Sequence, residues 1–202
     1  VYATEKCMEM MENHYFNDQT WANFGDKGPG TPLKKYHFET LKTNLETPIT
    51  NTQMTVKAFP LSHVNPFEST AFLIKNGDSY VLYLGDTGPD AVEKSDNLKN
   101  LWTAVAPLIK NKQLKGIFIE VSFPNEQPDQ FLFGHLTPNY LMKELHVLEE
   151  LAGKGSLKGF NIIITHLKPP TKNIVKLKEQ IKNQNDLGVK IIYPEQGVKF
   201  NL

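Results

Sequence analysis

Three histidines and one aspartate stand in short motifs whose residue types could assemble a chemical site. These residues are His63, Asp86, His135 and His166. Imidazole and carboxylate groups are good ligands for zinc, and manganese and iron accept them as well. The combination is typical of a hydrolytic metal centre, in which a bound cation activates water.

Two of these residues follow apolar segments that have the composition of strands. Residues 81–84 form a short apolar run that ends at Gly85, so Asp86 is expected at the carboxyl edge of a buried parallel strand. Residues 160–164 repeat this pattern before His166, and two prolines soon afterwards prevent an immediate helix. Both side chains are therefore predicted at the rim of a sheet.

His63 is predicted to lie in a loop between two further strands. The flanking strands are expected over residues 55–59 and 69–74. Open α/β sheets bind ligands outside the carboxyl ends of their strands, and such loops often carry function. Taken alone, each histidine is more often a turn or core residue, and the sequence of residues 85–88 is also an ordinary turn. The prediction of a site depends on the whole set.

Five segments carry a resemblance to a known family. They are residues 61–63 with 69–74, residues 83–90, residues 116–120, residues 132–138 and residues 164–166. Through them the chain from residue 59 to 197 resembles the carboxyl-terminal half of a class II cyclic-nucleotide phosphodiesterase, a branch of the metallo-β-lactamase superfamily. The resemblance implies an α/β fold of the αββα sandwich type, in which two mixed β-sheets pack between outer helices.

The same resemblance predicts one hydrolase domain over residues 1–202, with a helical and loop region over 1–54 and the core over 55–202. The leading signature of the superfamily, His-x-His-x-Asp-His, is absent from this sequence. The chain is therefore expected to be truncated at its N-terminus and to be inactive by itself. Its expected partner is the missing N-terminal segment, or another covering surface such as a second copy in a homodimer.

The resemblance also implies a role for each site residue. His63 would bind one metal ion, Asp86 would bridge two ions, and His166 would bind the second ion. His135 would be the proton donor, with Glu120 as its acidic partner. The implied cofactor is two zinc ions per complete active site, with Mn²⁺ or Fe²⁺ as alternatives.

The implied reaction is hydrolysis of a 3′,5′-cyclic nucleotide, expected to be cyclic AMP, to a nucleoside 5′-monophosphate. A hydroxide activated between the two metal ions would attack phosphorus. Three alternatives stay open. They are an arylsulfatase, another phosphodiesterase or nuclease of the same superfamily, and a non-catalytic fragment.

The composition limits the partners that the chain attracts. In 202 residues, 22 basic and 22 acidic side chains give a formal net charge of zero, so no general attraction to nucleic acid or membranes is expected. Cys7 is the lone cysteine, which excludes an internal disulfide. Arginine is absent, so phosphate recognition is expected to fall on the metals, on His135 and on backbone N–H groups. The compartment is left open between cytoplasm and periplasm.

The remaining periodicity predicts three helices and a final strand. Apolar residues recur at helical spacing over residues 98–112, 139–152 and 174–182, and a short strand is expected over 190–193. Thr137 and Pro138 are the expected cap and first-turn proline of the second helix.

Overall fold

The structure is a computed structural model that describes residues 1–202, and these form two compact units, Val1–Thr47 and Pro48–Leu202. In the first unit, strand β1 (Tyr2–Thr4) runs into helix α1 (Glu5–Met10) and a π-helical turn (Met11–Tyr15). Strand β2 (Glu39–Leu41) pairs with β1 in parallel.

The second unit is built on a mixed β-sheet. Its strands are β4 (Met54–Ser62), β5 (Glu68–Asn76), β6 (Ser79–Leu84), β7 (Leu114–Glu120), β8 (Asn161–Thr165) and β9 (Lys190–Ile192). They lie side by side in sequence order, with β3 (Glu46–Pro48) at the β4 edge. The pairs β4–β5 and β5–β6 are antiparallel, and the pairs from β6 to β9 are parallel. The predicted α/β class with a mixed sheet is therefore confirmed.

Four helices follow the strands of this sheet. They are α2 (Asp90–Glu93), α3 (Asn97–Lys110), α4 (Pro138–Ala152) and α5 (Thr171–Gln184). The three predicted helices are confirmed, and the third is longer than its apolar pattern indicated. The Thr137 side chain accepts a hydrogen bond from the Tyr140 N–H at 3.4 Å, so the predicted cap of α4 is formed. None of the helices combines the length and the apolar character that crossing a membrane requires.

The main core packs one face of the sheet against α3 and α4. Leu82, Ile117 and Ile162 stand in register on adjacent strands and are all fully buried. Trp102 of α3 and Leu145 of α4 belong to the same buried cluster. This packing supplies the apolar burial that fixes the position of each strand end.

The opposite face of the sheet is only partly covered. Tyr83 is 45% exposed, and its ring lies 5.8 Å from the ring of Phe118. The Phe118 ring in turn lies 6.2 Å from Phe200 near the end of the chain. Successive side chains of a strand point to opposite faces, so Leu82 and Leu84 are buried against the helices while Tyr83 lies on the partly covered face.

Strand directions bring the candidate site residues to one edge. Asp86 follows β6, Glu120 ends β7 and His166 follows β8, and these three parallel strands are neighbours. Strand β4 lies two antiparallel pairings from β6, so it points the same way and delivers His63 to the same edge. The expectation that His63 lies in a loop between two strands is confirmed.

Candidate metal centre

Three of the predicted residues form a cluster with the spacing of a cation site. The candidate ligand atoms of His63, Asp86 and His135 lie within 4.8 Å of one another. His166 is beside them, with its Nε2 atom 3.5 Å from Asp86 Oδ2. The structure therefore brings all four predicted residues together at the carboxyl edge of the sheet.

The turn that carries Asp86 is held closely by its neighbours. A Cβ at Gly85 would lie 2.5 Å from Ser69 Oγ and 3.2 Å from the Thr70 carbonyl oxygen, so a larger residue would have to displace the Ser69 side chain. Thr87 is fully buried, and its hydroxyl donates to the carbonyl of Ser62 at 3.4 Å. These contacts leave the Asp86 carboxylate partly exposed at the edge while the backbone below it is fixed.

His63 is oriented by a backbone carbonyl. Its Nδ1 atom lies 3.0 Å from the carbonyl oxygen of Gly134. Because a carbonyl only accepts, Nδ1 carries the ring proton and Nε2 keeps its lone pair for a cation. Gly134 has a φ of 73°, and a Cβ there would lie 2.5 Å from the His63 ring. The close approach explains why the sequence has glycine before His135.

His135 is buried beside a buried carboxylate. Its Nδ1 atom lies 2.8 Å from Glu120 Oε1, and the two side chains are 5% and 1% exposed. Glu120 also accepts hydrogen bonds from the Leu136 N–H at 3.2 Å and from the Ser122 hydroxyl at 2.7 Å. The predicted pairing of His135 with Glu120 is confirmed by this contact. Ser122 was not anticipated, because nothing in its local sequence marks it as a partner.

Lys168 is a functional candidate that the sequence did not reveal. Its Nζ atom lies 2.7 Å from His135 Nε2 and 4.9 Å from the centre of the Phe123 ring. The sequence assigned phosphate recognition to groups other than a fixed cation, yet the structure places an ammonium at the site. The sequence feature that could have identified Lys168 is its position two residues after His166.

The donor set fits a divalent cation. His63 and His166 offer imidazole nitrogens and Asp86 offers carboxylate oxygens, which is a ligand chemistry that zinc accepts. His135 belongs to the same cluster, but both of its ring nitrogens already have partners in Glu120 and Lys168. The ring atom that His135 offers at the site is therefore Nε2.

A second buried carboxyl lies away from the metal centre, between α3 and α4. Glu144 Oε2 accepts a hydrogen bond from Trp102 Nε1 at 2.9 Å. Burial raises the pKa of Glu144, and the nearby Asp90 charge raises it further, while the Trp102 hydrogen bond lowers it. This carboxyl belongs to the packing of the helices.

Known proteins that are similar to this chain are cyclic-nucleotide phosphodiesterases. The family model of the class-II cAMP phosphodiesterases matches residues 1–197. A 3′,5′-cyclic-nucleotide phosphodiesterase from Aliivibrio fischeri is 50% identical over 200 residues, which cover 96% of this chain and 59% of that protein. A probable 3′,5′-cyclic-nucleotide phosphodiesterase from Yersinia pestis is 39% identical, with 98% and 59% covered. The chain spans about three-fifths of the length of these curated relatives.

The fold also matches a solved structure. The crystal structure of unliganded yeast PDE1 superimposes with a TM-score of 0.84 at 24% identity, and the match covers 97% of this chain and 58% of that one. The fold is α/β with a mixed sheet, and the carboxyl edge of that sheet carries a candidate metal site. The chain belongs to the class-II cAMP phosphodiesterase family.

Proposed function

We propose that the protein is a metal-dependent phosphodiesterase that hydrolyses 3′,5′-cyclic AMP to the nucleoside 5′-monophosphate. The family membership supports a cyclic-nucleotide substrate, since the relatives from Aliivibrio fischeri and Yersinia pestis carry that name. The observation that carries the proposal is the position of His135 within the cluster of candidate cation ligands, with its imidazole held by a buried carboxylate.

In this proposal His63, Asp86 and His166 would hold zinc. Bound divalent metal supplies Lewis-acid polarisation of the phosphoryl oxygens and a water of lowered pKa as the nucleophile. The hydrogen bond from His63 Nδ1 to the Gly134 carbonyl fixes the ring, so Nε2 would be the atom that ligates a cation. The turn at Gly85 holds the backbone that carries the Asp86 carboxylate.

His135 protonates the departing 3′ oxygen. As phosphorus accepts the attacking oxygen, the bond to O3′ breaks, and that oxygen takes a proton from Nε2 of the imidazolium form of His135, in which Nε2 no longer accepts from Lys168 Nζ. Glu120 accepts the Nδ1–H and stabilises the imidazolium before transfer. A general acid of this kind typically accelerates a reaction by about 100- to 10,000-fold.

The decisive experiment compares three substrates with the full-length protein loaded with zinc. Cyclic AMP, bis-p-nitrophenyl phosphate and p-nitrophenyl sulfate separate the proposed activity from a general phosphodiesterase and from a sulfatase. We expect turnover of cyclic AMP with release of 5′-AMP, which chromatography distinguishes from 3′-AMP. Preferential turnover of the sulfate ester, or no turnover of any ester, would show that the proposal is wrong.

A further inference from the structure

The ammonium of Lys168 is a partly buried cation that is not paired with a carboxylate. Its contacts are the ring nitrogen Nε2 of His135 at 2.7 Å and the face of Phe123 at 4.9 Å. Neither contact carries a negative charge. The nearest acidic partner of His135, Glu120, is held on the opposite ring nitrogen. Lys168 therefore makes no ion pair, and the Asp86 carboxylate reaches the site only through the cluster with His63 and His135.

The chemistry of lysine makes an anion the natural partner. An ammonium has three N–H donors, and the contact with His135 uses one of them. Charged hydrogen bonds to phosphate oxygens are strong, and lysine binds phosphate as a compact point charge. The aromatic ring of Phe123 restricts the ammonium by a cation–π contact, so that little freedom is lost when an anion arrives.

The rest of the chain offers no arginine for this task. All 22 of the Lys and Arg residues are lysines, because the sequence contains no arginine. Lys168 lies two residues after His166 and touches His135, so it reaches the space beside both the metal ligands and the proton donor. That is where the phosphoryl group must lie when His135 protonates its leaving oxygen.

We infer that Lys168 binds a non-bridging oxygen of the substrate phosphodiester and holds phosphorus between the metal ligands and His135. This inference rests on the proposed function. Lys168 would bind the anion both in the substrate and in the transition state, where the charge on the phosphoryl oxygens is greater. Loss of its charge should therefore raise KM and lower kcat together.

The test uses three variants that separate charge from positioning. Lys168→Met removes the charge and the hydrogen bond to His135. Lys168→Gln removes the charge but keeps an N–H donor for His135, and Lys168→Arg keeps the charge. Lys172→Met is the matched control, because Lys172 is an exposed lysine on the first turn of α5. Each zinc-loaded, full-length variant is assayed for cyclic AMP turnover, and its binding of inorganic phosphate is measured by calorimetry.

We expect the Met and Gln variants to lose about 10- to 100-fold in kcat/KM and to bind inorganic phosphate more weakly by a similar factor. The Arg variant should retain most of the activity, and Lys172→Met should match the wild-type protein. Zinc content should be the same throughout. If Lys168→Met does not fold, Lys168→Gln still decides the question.

Three results would overturn the inference. Wild-type kinetics in Lys168→Gln would mean that Lys168 only positions His135. Unchanged phosphate binding in both uncharged variants would mean that the ammonium does not touch the anion, and loss of zinc would assign Lys168 to the metal site. If the wild-type protein turns over no cyclic nucleotide, the proposed function fails, whereas the phosphate-binding comparison still tests Lys168.

Discussion

Glu120 Oε1 lies 2.8 Å from His135 Nδ1 inside the protein, although the two residues are separated by 15 positions and belong to different elements. Glu120 ends β7, and His135 lies in the loop that precedes α4. The carboxylate accepts, so Nδ1 carries a proton and Nε2 is the ring atom that is presented to the site. A buried carboxylate thereby sets both the tautomer and the orientation of the proposed proton donor.

Replacement of His135 should impair the chemistry and leave the metal in place. In full-length His135→Ala we expect kcat for cyclic AMP to fall by about 100- to 10,000-fold, because the variant lacks the proton donor. Zinc content, measured by atomic emission, should equal that of wild type. A substrate with a p-nitrophenolate leaving group should largely restore the rate, since this group leaves without protonation.

His146→Ala is the control for that experiment. His146 is an exposed residue of α4 whose Nε2 lies 3.1 Å from Asp186 Oδ1, and it does not belong to the cluster of candidate ligands. Its removal should leave kcat unchanged. Loss of zinc from His135→Ala would mean that His135 is a ligand, in agreement with its place in the cation cluster.

Replacement of Asp86 should remove metal. Asp86→Asn keeps the size of the side chain but removes the negative charge that the proposed bridging role needs. We expect lower zinc content after dialysis and a fall in kcat of about 100-fold or more, since metal supplies several kcal/mol of transition-state stabilisation. Asp78→Asn, in the turn between β5 and β6, is the matched control. Full zinc content and activity in Asp86→Asn would contradict the assignment.

Gly134→Ala tests the close approach of the loop to His63. The new Cβ would meet His63 Nδ1 at 2.5 Å and the Val64 backbone nitrogen at 2.7 Å. Gly77→Ala is the control, because Gly77 also has a positive φ but no atom lies within 4 Å of its Cβ position. Both variants carry the backbone strain of about 1–2 kcal/mol, and Gly134→Ala should lose a further ~1–3 kcal/mol from the clash.

The free energy of unfolding of both glycine variants is measured by urea denaturation, and their zinc content is measured as well. We expect Gly134→Ala to bind zinc more weakly as well, because the clash moves the His63 ring. Equal stability of the two variants would show that the loop relaxes freely and does not position His63.

The buried carboxyl of Glu144 should make stability depend on pH. Its folded pKa is raised mainly by burial, so the folded state holds a proton that the unfolded state releases near pH ~4.3. The free energy of unfolding should therefore fall as the pH rises from about 4.3 to the raised folded pKa, and then change no further through this group. Glu144→Gln should lack this fall.

The measurement is the difference in unfolding free energy between Glu144→Gln and wild type across that pH range. Glu150→Gln, an exposed residue of the same helix, is the control. The difference should grow in favour of Glu144→Gln with rising pH. A difference that is constant with pH would show that the Glu144 carboxyl titrates alike in the folded and unfolded states.

Local patterns were enough to predict most of the elements. The apolar run of residues 81–84 predicts a strand, and the amphipathic pattern of residues 98–112 predicts a helix. In each, the spacing of apolar residues within a short segment shows which side faces the core. The cap of α4 at Thr137 is a hydrogen bond between residues three positions apart, so it can be predicted from the local sequence. The apolar segments before Asp86 and His166 likewise predict these side chains at strand ends. Gly85 ends the first segment, and two prolines soon after His166 prevent a helix there.

The tertiary structure alone decided which side chains meet. The antiparallel return of β4 brings His63 to the edge that carries Asp86, and the folding of a loop brings Lys168 onto His135. It also placed Ser122 on Glu120 and left Tyr83 exposed on the outer face of the sheet. The contacts of His63 with Asp86 and of Lys168 with His135 join residues tens of positions apart, and no local periodicity encodes them. They are selected when the whole sheet buries its apolar face and each buried polar group finds a partner.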